Sequence, residues 1–288
     1  MNMLSKALNI NGETGLLAVI GDPVSHSLSP KMHNLALRHC QLNYCYVALP
    51  VKPHNLVRAV QGFAAMGMRG FNATIPHKEN LLPLMHTLSE EASHIGAVNT
   101  VVIDDDGKMT GHNTDAYGFI TGLKEAWRSD LSGLTAIMLG SGGAARAILY
   151  GLIQAKAARV IIANRTIERA QALIEAMQPY APNTQLMVAP TQADQLPLES
   201  CDLLINTTSM GLKGETIPYI DLARLPHHAF VSDIVYGAHP TPLLRATAQH
   251  QLGGQDGLPM LIHQGAKAFE LWTGHSMPVE LVEHTLRQ

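Results

Sequence analysis

The stretch Thr135-Ala136-Ile137-Met138-Leu139-Gly140-Ser141-Gly142-Gly143-Ala144-Ala145 decides the fold. Thr135 to Leu139 is an apolar run of strand length, and Ala144 to Gln154 reads as a helix. Between them Gly140, Gly142 and Ala145 stand at GxGxxA spacing. In such a turn the first glycine allows a tight reversal, and the second lets backbone approach a pyrophosphate. The small third residue lets helix and strand pack closely. The N-terminus of the helix then offers backbone N–H groups to the anion. Glycine-rich turns are common, so the spacing gains meaning only from the strand before it and the helix after it.

The unit repeats along the chain. Arg159 to Ala163 reads as a second strand and Ile167 to Met177 as a helix. Gln185 to Val188, Leu203 to Asn206 and Phe230 to Ile234 are further strand candidates. Alternating apolar strands and helices imply a parallel sheet covered on both faces. The end of the second strand bears on the cofactor. An NAD site places an acidic residue about 20 residues beyond the glycines, against the ribose 2′-hydroxyl. Here that position holds Asn164-Arg165-Thr166. Arg165 can pair with a 2′-phosphate and stack on adenine. Thr166 can add a hydroxyl, and Arg169 faces the same way one helical turn on. The expected cofactor is therefore NADP.

The N-terminal part is also mixed α/β. Leu16 to Ile20, Tyr44 to Val51 and Gly70 to Ile75 read as strands. Ser29 reads as a helix N-cap with Pro30 as the first helical residue, followed by Met32, Leu35, Ala36 and Cys40 at helical spacing. Leu56 to Met66 reads as a helix, and so does Asn80 to Met85, against the objection of Pro83. Val98 to Ile103 and Met109 to His112 form a hairpin around Asp104-Asp105-Asp106-Gly107. Tyr117 to Trp127 and Met260 to Trp272 are helical.

The composition narrows the classes. With 46% hydrophobic and 15% charged residues and a net charge of −3, this is a globular composition without a basic block. Nucleic-acid binding and a polybasic membrane surface are unsupported. Three cysteines, Cys40, Cys45 and Cys201, form no CxxC, which suits a reducing compartment. The fifteen histidines show no metal-ligand spacing, so no metal is expected. No apolar run reaches the ~18 residues of a membrane span. The first fifteen residues lack the apolar stretch of a signal peptide, so a cytoplasmic protein is expected.

Three polar clusters in the N-terminal part have no evident core role. Ser27-Leu28-Ser29-Pro30 sets two hydroxyls at a helix start, which suits a carboxylate, although Ser29 could simply cap. Asn72-Ala73-Thr74-Ile75-Pro76-His77-Lys78 places polar side chains at a strand end and a lysine just beyond it. Asn99 and Asn113-Thr114-Asp115 flank the hairpin, where such residues ordinarily make turns.

Taken together the chain closely resembles the shikimate dehydrogenase family, which includes shikimate and quinate dehydrogenases. The matching pieces are GDPVSHSLSP, NATIPHK, GAVNT, GHNTDAYGF, GSGGAARA, ANRT, INTTSMG and GLPMLIHQGAKAFELW, in the family's order over nearly the whole chain. Ala73 stands where valine is common, and Ser141 where alanine is. Neither change removes a functional group.

The resemblance implies roles. Lys78 and Asp115 would be the catalytic pair. Ser27 and Ser29 would hold a carboxylate, with Tyr236 near that end, and Thr74, Asn99 and Gln264 would bond ring hydroxyls. Gly140, Ser141, Gly142, Gly143 and Ala144 would cradle the pyrophosphate of NADP, and Asn164, Arg165, Thr166 and Arg169 would read its ribose end. Thr208 would approach the nicotinamide, and Gly257 belongs with the cofactor contacts. The substrates would be the small molecules shikimate and 3-dehydroshikimate, in chorismate and aromatic amino acid biosynthesis. Quinate or an amino analogue is the alternative within the family. A non-catalytic NADP-binding sensor is the alternative outside catalysis.

The expected fold class is α/β. An N-terminal α/β substrate domain, residues 1–114, would be completed by a C-terminal helical part, residues 257–288, packing back on it. A Rossmann-like NADP-binding domain would span residues 115–256. The active site would lie in the cleft between the domains, and the protein would be a monomer or homodimer.

Overall fold

In the computed structural model, which describes residues 10–192 and 195–288, the chain separates into two units. One comprises residues 1–114 with 262–288, and the other residues 115–261. Each carries its own six-stranded sheet. Residues 1–9, part of the N-terminal stretch without an apolar run, lie outside the described residues.

The first unit opens with strand β1 (Gly15–Gly21), helix α1 (Ser29–His39), strand β2 (Tyr44–Pro50), helix α2 (Leu56–Ala65) and strand β3 (Gly70–Ala73). It continues with the short strand β4 (Thr87–Leu88), helix α3 (Glu90–Ile95), and the hairpin β5 (Thr100–Ile103) and β6 (Met109–His112). The sheet order is β2-β1-β3-β5-β6-β4. β1 lies parallel to β2 and β3, whereas β5 is antiparallel to β3 and β6. β2 is an edge strand, and Asn34 of α1 secures it from the side. Its Nδ2 donates to Tyr46 O at 2.7 Å and its Oδ1 accepts from Tyr46 N at 2.9 Å. Ala18, Ile20, Val60, Phe63, Phe71 and Val101 fill one core of this unit. Each large apolar side chain buried there contributes ~1.5–3 kcal/mol.

Three expectations change in this unit. Asn80 to Met85 forms only a 3-10 turn, Leu82–Leu84, because Pro83 has no N–H to extend a ladder. Ser29 is the first helical residue, and Leu28 occupies the cap position without a side-chain bond. Helix α3 was not anticipated, although Ser89 caps it by accepting from Ala92 N.

The second unit runs through helix α4 (Asp115–Ala126), strand β7 (Thr135–Leu139), helix α5 (Gly143–Gln154), strand β8 (Arg159–Ala163) and helix α6 (Ile167–Met177). Strands β9 (Gln185–Ala189), β10 (Leu203–Asn206) and β11 (Phe230–Asp233) follow, then helix α7 (Pro242–Gln249) and strand β12 (Gly253–Gln255). All neighbours in the order β12-β11-β10-β7-β8-β9 are parallel. Counted from β7, that is the 3-2-1-4-5-6 order of a doubly wound nucleotide-binding sheet, whose order reverses between β7 and β10. Ile137, Leu139, Ile161, Leu204 and Val231 form its core.

Helix α8 (Leu258–Thr273) passes from the second unit into the first, and α9 (Val279–Leu286) ends the chain. In the first unit the Trp272 indole N–H donates to Val101 O of β5 at 2.9 Å. Lys31 of α1 reaches Thr285 O at 3.0 Å. The C-terminal helical part therefore packs on the N-terminal sheet.

Candidate active site

In the first unit the expected substrate residues sit at one end of the sheet. Ser27 and Ser29 flank the start of α1, whose first turn holds no acidic residue to repel an anion. The Ser27 hydroxyl oxygen accepts from Ser29 N at 3.2 Å. Ser29 is 6% exposed, and the Tyr46 phenol near it is buried. Burial holds that phenol well above its usual range.

Thr74 follows β3, with its N–H on Ile20 O at 2.9 Å. The next turn is pinned from beneath: His77 is fully buried, with Nε2 2.7 Å from Val51 O. Val98 N donates to Lys78 O at 2.8 Å. Lys78 is thereby held opposite Val98, the residue before Asn99.

Asn99 is 2% exposed, and its amide orientation is determined by its partners. Its Oδ1 accepts from Thr114 N at 2.8 Å and Thr100 Oγ1 at 2.9 Å. A backbone N–H can only donate, so the oxygen must face Thr114. Nδ2 then lies 3.0 Å from Thr114 Oγ1 and 3.4 Å from Gln264 Oε1. Asn72 lies behind this group. Its Nδ2 donates to Asn99 O at 3.2 Å and Thr100 Oγ1 at 2.9 Å, and its Oδ1 accepts from Tyr46 OH at 2.7 Å. The sequence marked Asn72 only as a polar residue without a core role and did not mark Tyr46 at all. Both belong to the buried support of Asn99.

The second unit holds the other candidates. Asp115 is 5% exposed and begins α4. Tyr236 is half-buried, and burial raises its phenol above the usual range. Gly140 takes φ +103°, and a Cβ there would come within 2.8 Å of Thr207 Oγ1 and 2.9 Å of Thr208 Cγ2. Glycine is therefore required where β7 and β10 part, which is where a doubly wound sheet binds its ligand. Gly257 is glycine for a packing reason, since a Cβ there would collide with the Ile234 carbonyl.

NADP fits this turn. Nothing lies within 4 Å of a Cβ built on Gly142, which is the N-cap of α5 and makes no side-chain cap bond. Open space before an uncapped helix start is what a pyrophosphate needs, with Ser141, Gly143 and Ala144 partly exposed around it. At the end of β8 the Asn164 amide braces the turn by donating to Thr166 O at 2.7 Å. Arg165, Thr166 and Arg169 are exposed there. Two guanidinium groups without a carboxylate at 164–166 suit a 2′-phosphate and not a bare ribose hydroxyl pair.

Thr208 is committed to its own loop. Its hydroxyl donates to Asn206 Oδ1 at 2.7 Å and accepts from Met210 N at 3.1 Å. Its methyl and backbone remain for a ligand. Burial raises the Asp233 carboxyl above the usual carboxylate range, opposed by bonds from Thr241, Val235 and Asn206. The Cys201 thiol is buried and pushed up to about 12, so it is inert. Among the described residues no group of three or more His, Cys, Asp or Glu is placed to hold a metal ion. No helix among them is long and apolar enough to cross a membrane.

Known proteins match in the same arrangement. Sequence models of the shikimate dehydrogenase substrate binding domain, of shikimate/quinate 5-dehydrogenase and of the shikimate 5′-dehydrogenase C-terminal domain match residues 19–101, 123–210 and 257–287. The shikimate dehydrogenase (NADP(+)) of Geobacter sulfurreducens is 43% identical over 277 residues, covering 96% of each chain. The shikimate 5-dehydrogenase of Listeria monocytogenes, solved with shikimate and NAD, superposes with a TM-score of 0.89 at 35% identity, covering 98% of this chain and 99% of that one. The Thermus thermophilus enzyme, solved with NADP(H) and shikimate, gives 0.81 at 36% identity, covering 95% and 99%. With its glycine turn at the strand switch point and its polar set around Asn99, the chain belongs to the shikimate dehydrogenase family.

Proposed function

We propose that this protein is an NADP-dependent shikimate dehydrogenase, interconverting 3-dehydroshikimate and shikimate in the formation of chorismate and the aromatic amino acids. The observation that carries the reading is the gathering of Ser27, Thr74, Lys78, Asn99 and Gln264 within one unit, in segments that match the family's substrate-binding and C-terminal models. Residues 1–114 and 257–288 would form the substrate domain and residues 115–256 the cofactor domain. The protein would be cytoplasmic and a monomer or homodimer.

The serine pair at the start of α1 would hold the substrate carboxylate, an end to which the family resemblance also assigns Tyr236. Thr74, Asn99 and Gln264 bond the ring hydroxyls, with the Asn99 amide oriented by Thr114 and Thr100. A site built from amides and hydroxyls rejects analogues that leave one of them unpaired. Gly140 to Ala144 and Gly257 admit the dinucleotide, Asn164 to Thr166 with Arg169 bind its phosphorylated ribose, and the Thr208 loop faces its nicotinamide. The bound cofactor supplies hydride chemistry. In reduction the substrate carbonyl oxygen takes a proton as it becomes an alcohol, and Lys78 donates it. In oxidation Lys78 accepts that proton. Asp115 is the second member of the proposed catalytic pair. A sensor that bound NADP without catalysis would need neither Lys78 nor Asp115.

NADPH absorbance after mixing purified protein with shikimate and NADP tests the reading directly. Steady formation is expected. A protein that binds NADP but turns over no shikimate would be the sensor instead.

A further inference from the structure

Asp233 is the last residue of β11 and is fully buried, yet it belongs to no group considered so far. Its two oxygens take three donors from three segments. Oδ1 accepts from Asn206 Nδ2 at 2.9 Å and Val235 N at 3.0 Å, and Oδ2 accepts from Thr241 Oγ1 at 2.7 Å. Asn206 ends the neighbouring strand β10, and its Oδ1 holds both the N–H of Thr208 (3.1 Å) and its hydroxyl (2.7 Å). Its Nδ2 also donates to Met210 O at 3.0 Å, so this one amide shapes the loop from Thr208 to Met210. Thr241 is the N-cap of α7, accepting from Leu244 N at 3.2 Å. Val235 precedes Tyr236.

We infer that Asp233 is a positioning residue for the dinucleotide: it fastens the loop carrying Thr208 to the segment carrying Val235 and Tyr236 and to the start of α7. The inference rests on the cofactor reading above. The fastened loop lies against the glycine turn, since Thr207 Oγ1 donates to Leu139 O at 2.6 Å, next to Gly140. In a doubly wound sheet, loops after adjacent strands at the switch point form the wall of the nucleotide crevice. A carboxylate here is costly to bury, and only its full set of donors compensates. Removing it takes the acceptor from Val235 N and the Thr241 hydroxyl and one of two acceptors from Asn206 Nδ2, so the tie between the three segments is cut. Asparagine would keep an oxygen for Asn206 and Val235 and lose only the tie to Thr241 in its present sense.

Fluorescence titration of NADPH, which needs no turnover, tests this. Asp233→Ala is expected to raise the Kd at least about tenfold, while Asp233→Asn stays within about threefold of wild type. Thr241→Val, which cuts one of the three bonds and keeps the side-chain shape, is expected to raise it about threefold. With saturating NADP, kcat of the folded variants should remain near wild type while KM for NADP follows Kd. A merely structural role would lower Tm and leave Kd and KM unmoved, and that result overturns the inference. Equal weakening by Asn and Ala would overturn it too, because the charge and not the tie would then matter. If Asp233→Ala does not fold, an unchanged Kd in Thr241→Val has the same force. Wild-type binding of NADPH checks the cofactor reading separately, since the inference is judged on ratios to wild type.

Discussion

Asn99 and Gln264 are 165 positions apart in sequence, and their side-chain amides meet with Nδ2 of one 3.4 Å from Oε1 of the other. Helix α8 brings Gln264 to the end of the N-terminal sheet, where β5 and the turn before α4 place Asn99 and Thr114. Asn99 Oδ1 accepts from Thr114 N and Thr100 Oγ1, and Nδ2 donates to Thr114 Oγ1 and toward Gln264 Oε1, so the amide presents its donor edge to Gln264. Asn99→Asp keeps both acceptor contacts and replaces that donor by an acceptor facing Gln264 Oε1. KM for shikimate is expected to rise at least about fivefold, the low end of leaving a buried polar group unpaired. An unchanged KM would remove Asn99 from the set that reads ring hydroxyls.

Lys78 is expected to be the proton carrier. Lys78→Ala should lower kcat by about 10²–10⁴-fold, the range for losing a general acid–base group, with a much smaller change in KM for shikimate. Steady-state kinetics in the oxidation direction measure both. Near-normal kcat would assign the proton to another group.

Arg165 has a phosphate partner only in NADP. Losing a charge-assisted bond costs roughly 1.5–3 kcal/mol, so Arg165→Ala should weaken NADP about 10–150-fold and NAD much less. Adenine stacking would be lost from both cofactors alike. Equal losses in binding titrations with NADP and NAD would show that Arg165 does not read the 2′-phosphate.

His33 gives a pH prediction. Its ring is fully buried and stacked on Tyr46 at 4.3 Å between centroids, and neither ring nitrogen finds a hydrogen-bond partner among the described residues. Burial alone lowers its pKa from 6.5 to about 3. The folded state therefore binds this proton less readily than the unfolded state. The contribution to stability is complete above about pH 6.5 and is lost as pH falls toward 3, up to roughly 5 kcal/mol. His33→Phe removes the titration and keeps a ring in the stack. Its acid-unfolding midpoint, followed by circular dichroism, should move down by at least about half a pH unit. An unshifted midpoint would mean that His33 does not drive acid unfolding.

Much of the second unit was legible in the sequence because its strands are buried apolar runs. Thr135–Leu139, Arg159–Ala163 and Leu203–Asn206 stop where they are expected to stop. What escaped was short or long-range. Helix α7 carries the signal Thr241-Pro242 but is only eight residues long, and β12 begins with two glycines. Ser29 reads as a cap in the sequence, yet it is the first residue of α1 and 6% exposed, with Leu28 at the cap position. Asp233, Asn206 and Thr241 converge only when three separate segments fold together, and no spacing announces that. The polar candidates Thr74, Lys78, Asn99 and Gln264 came from family motifs, and their roles toward a substrate stand as proposals; the geometry adds the hydrogen bonds that orient the Asn99 amide.

Shikimate and quinate differ at the carboxylate-bearing carbon. Quinate carries an added hydroxyl at the carboxylate-bearing carbon and has a saturated, puckered ring. A pocket fitted to the flatter shikimate ring would crowd that hydroxyl or bury it without a partner, at about 1–3 kcal/mol. The decisive measurement is kcat/KM for shikimate and for quinate, each with saturating NADP and NAD. Shikimate with NADP should be the best pair, exceeding quinate with NADP at least about tenfold, which corresponds to about 1.4 kcal/mol. Comparable values for quinate, or no turnover of shikimate at all, would contradict it.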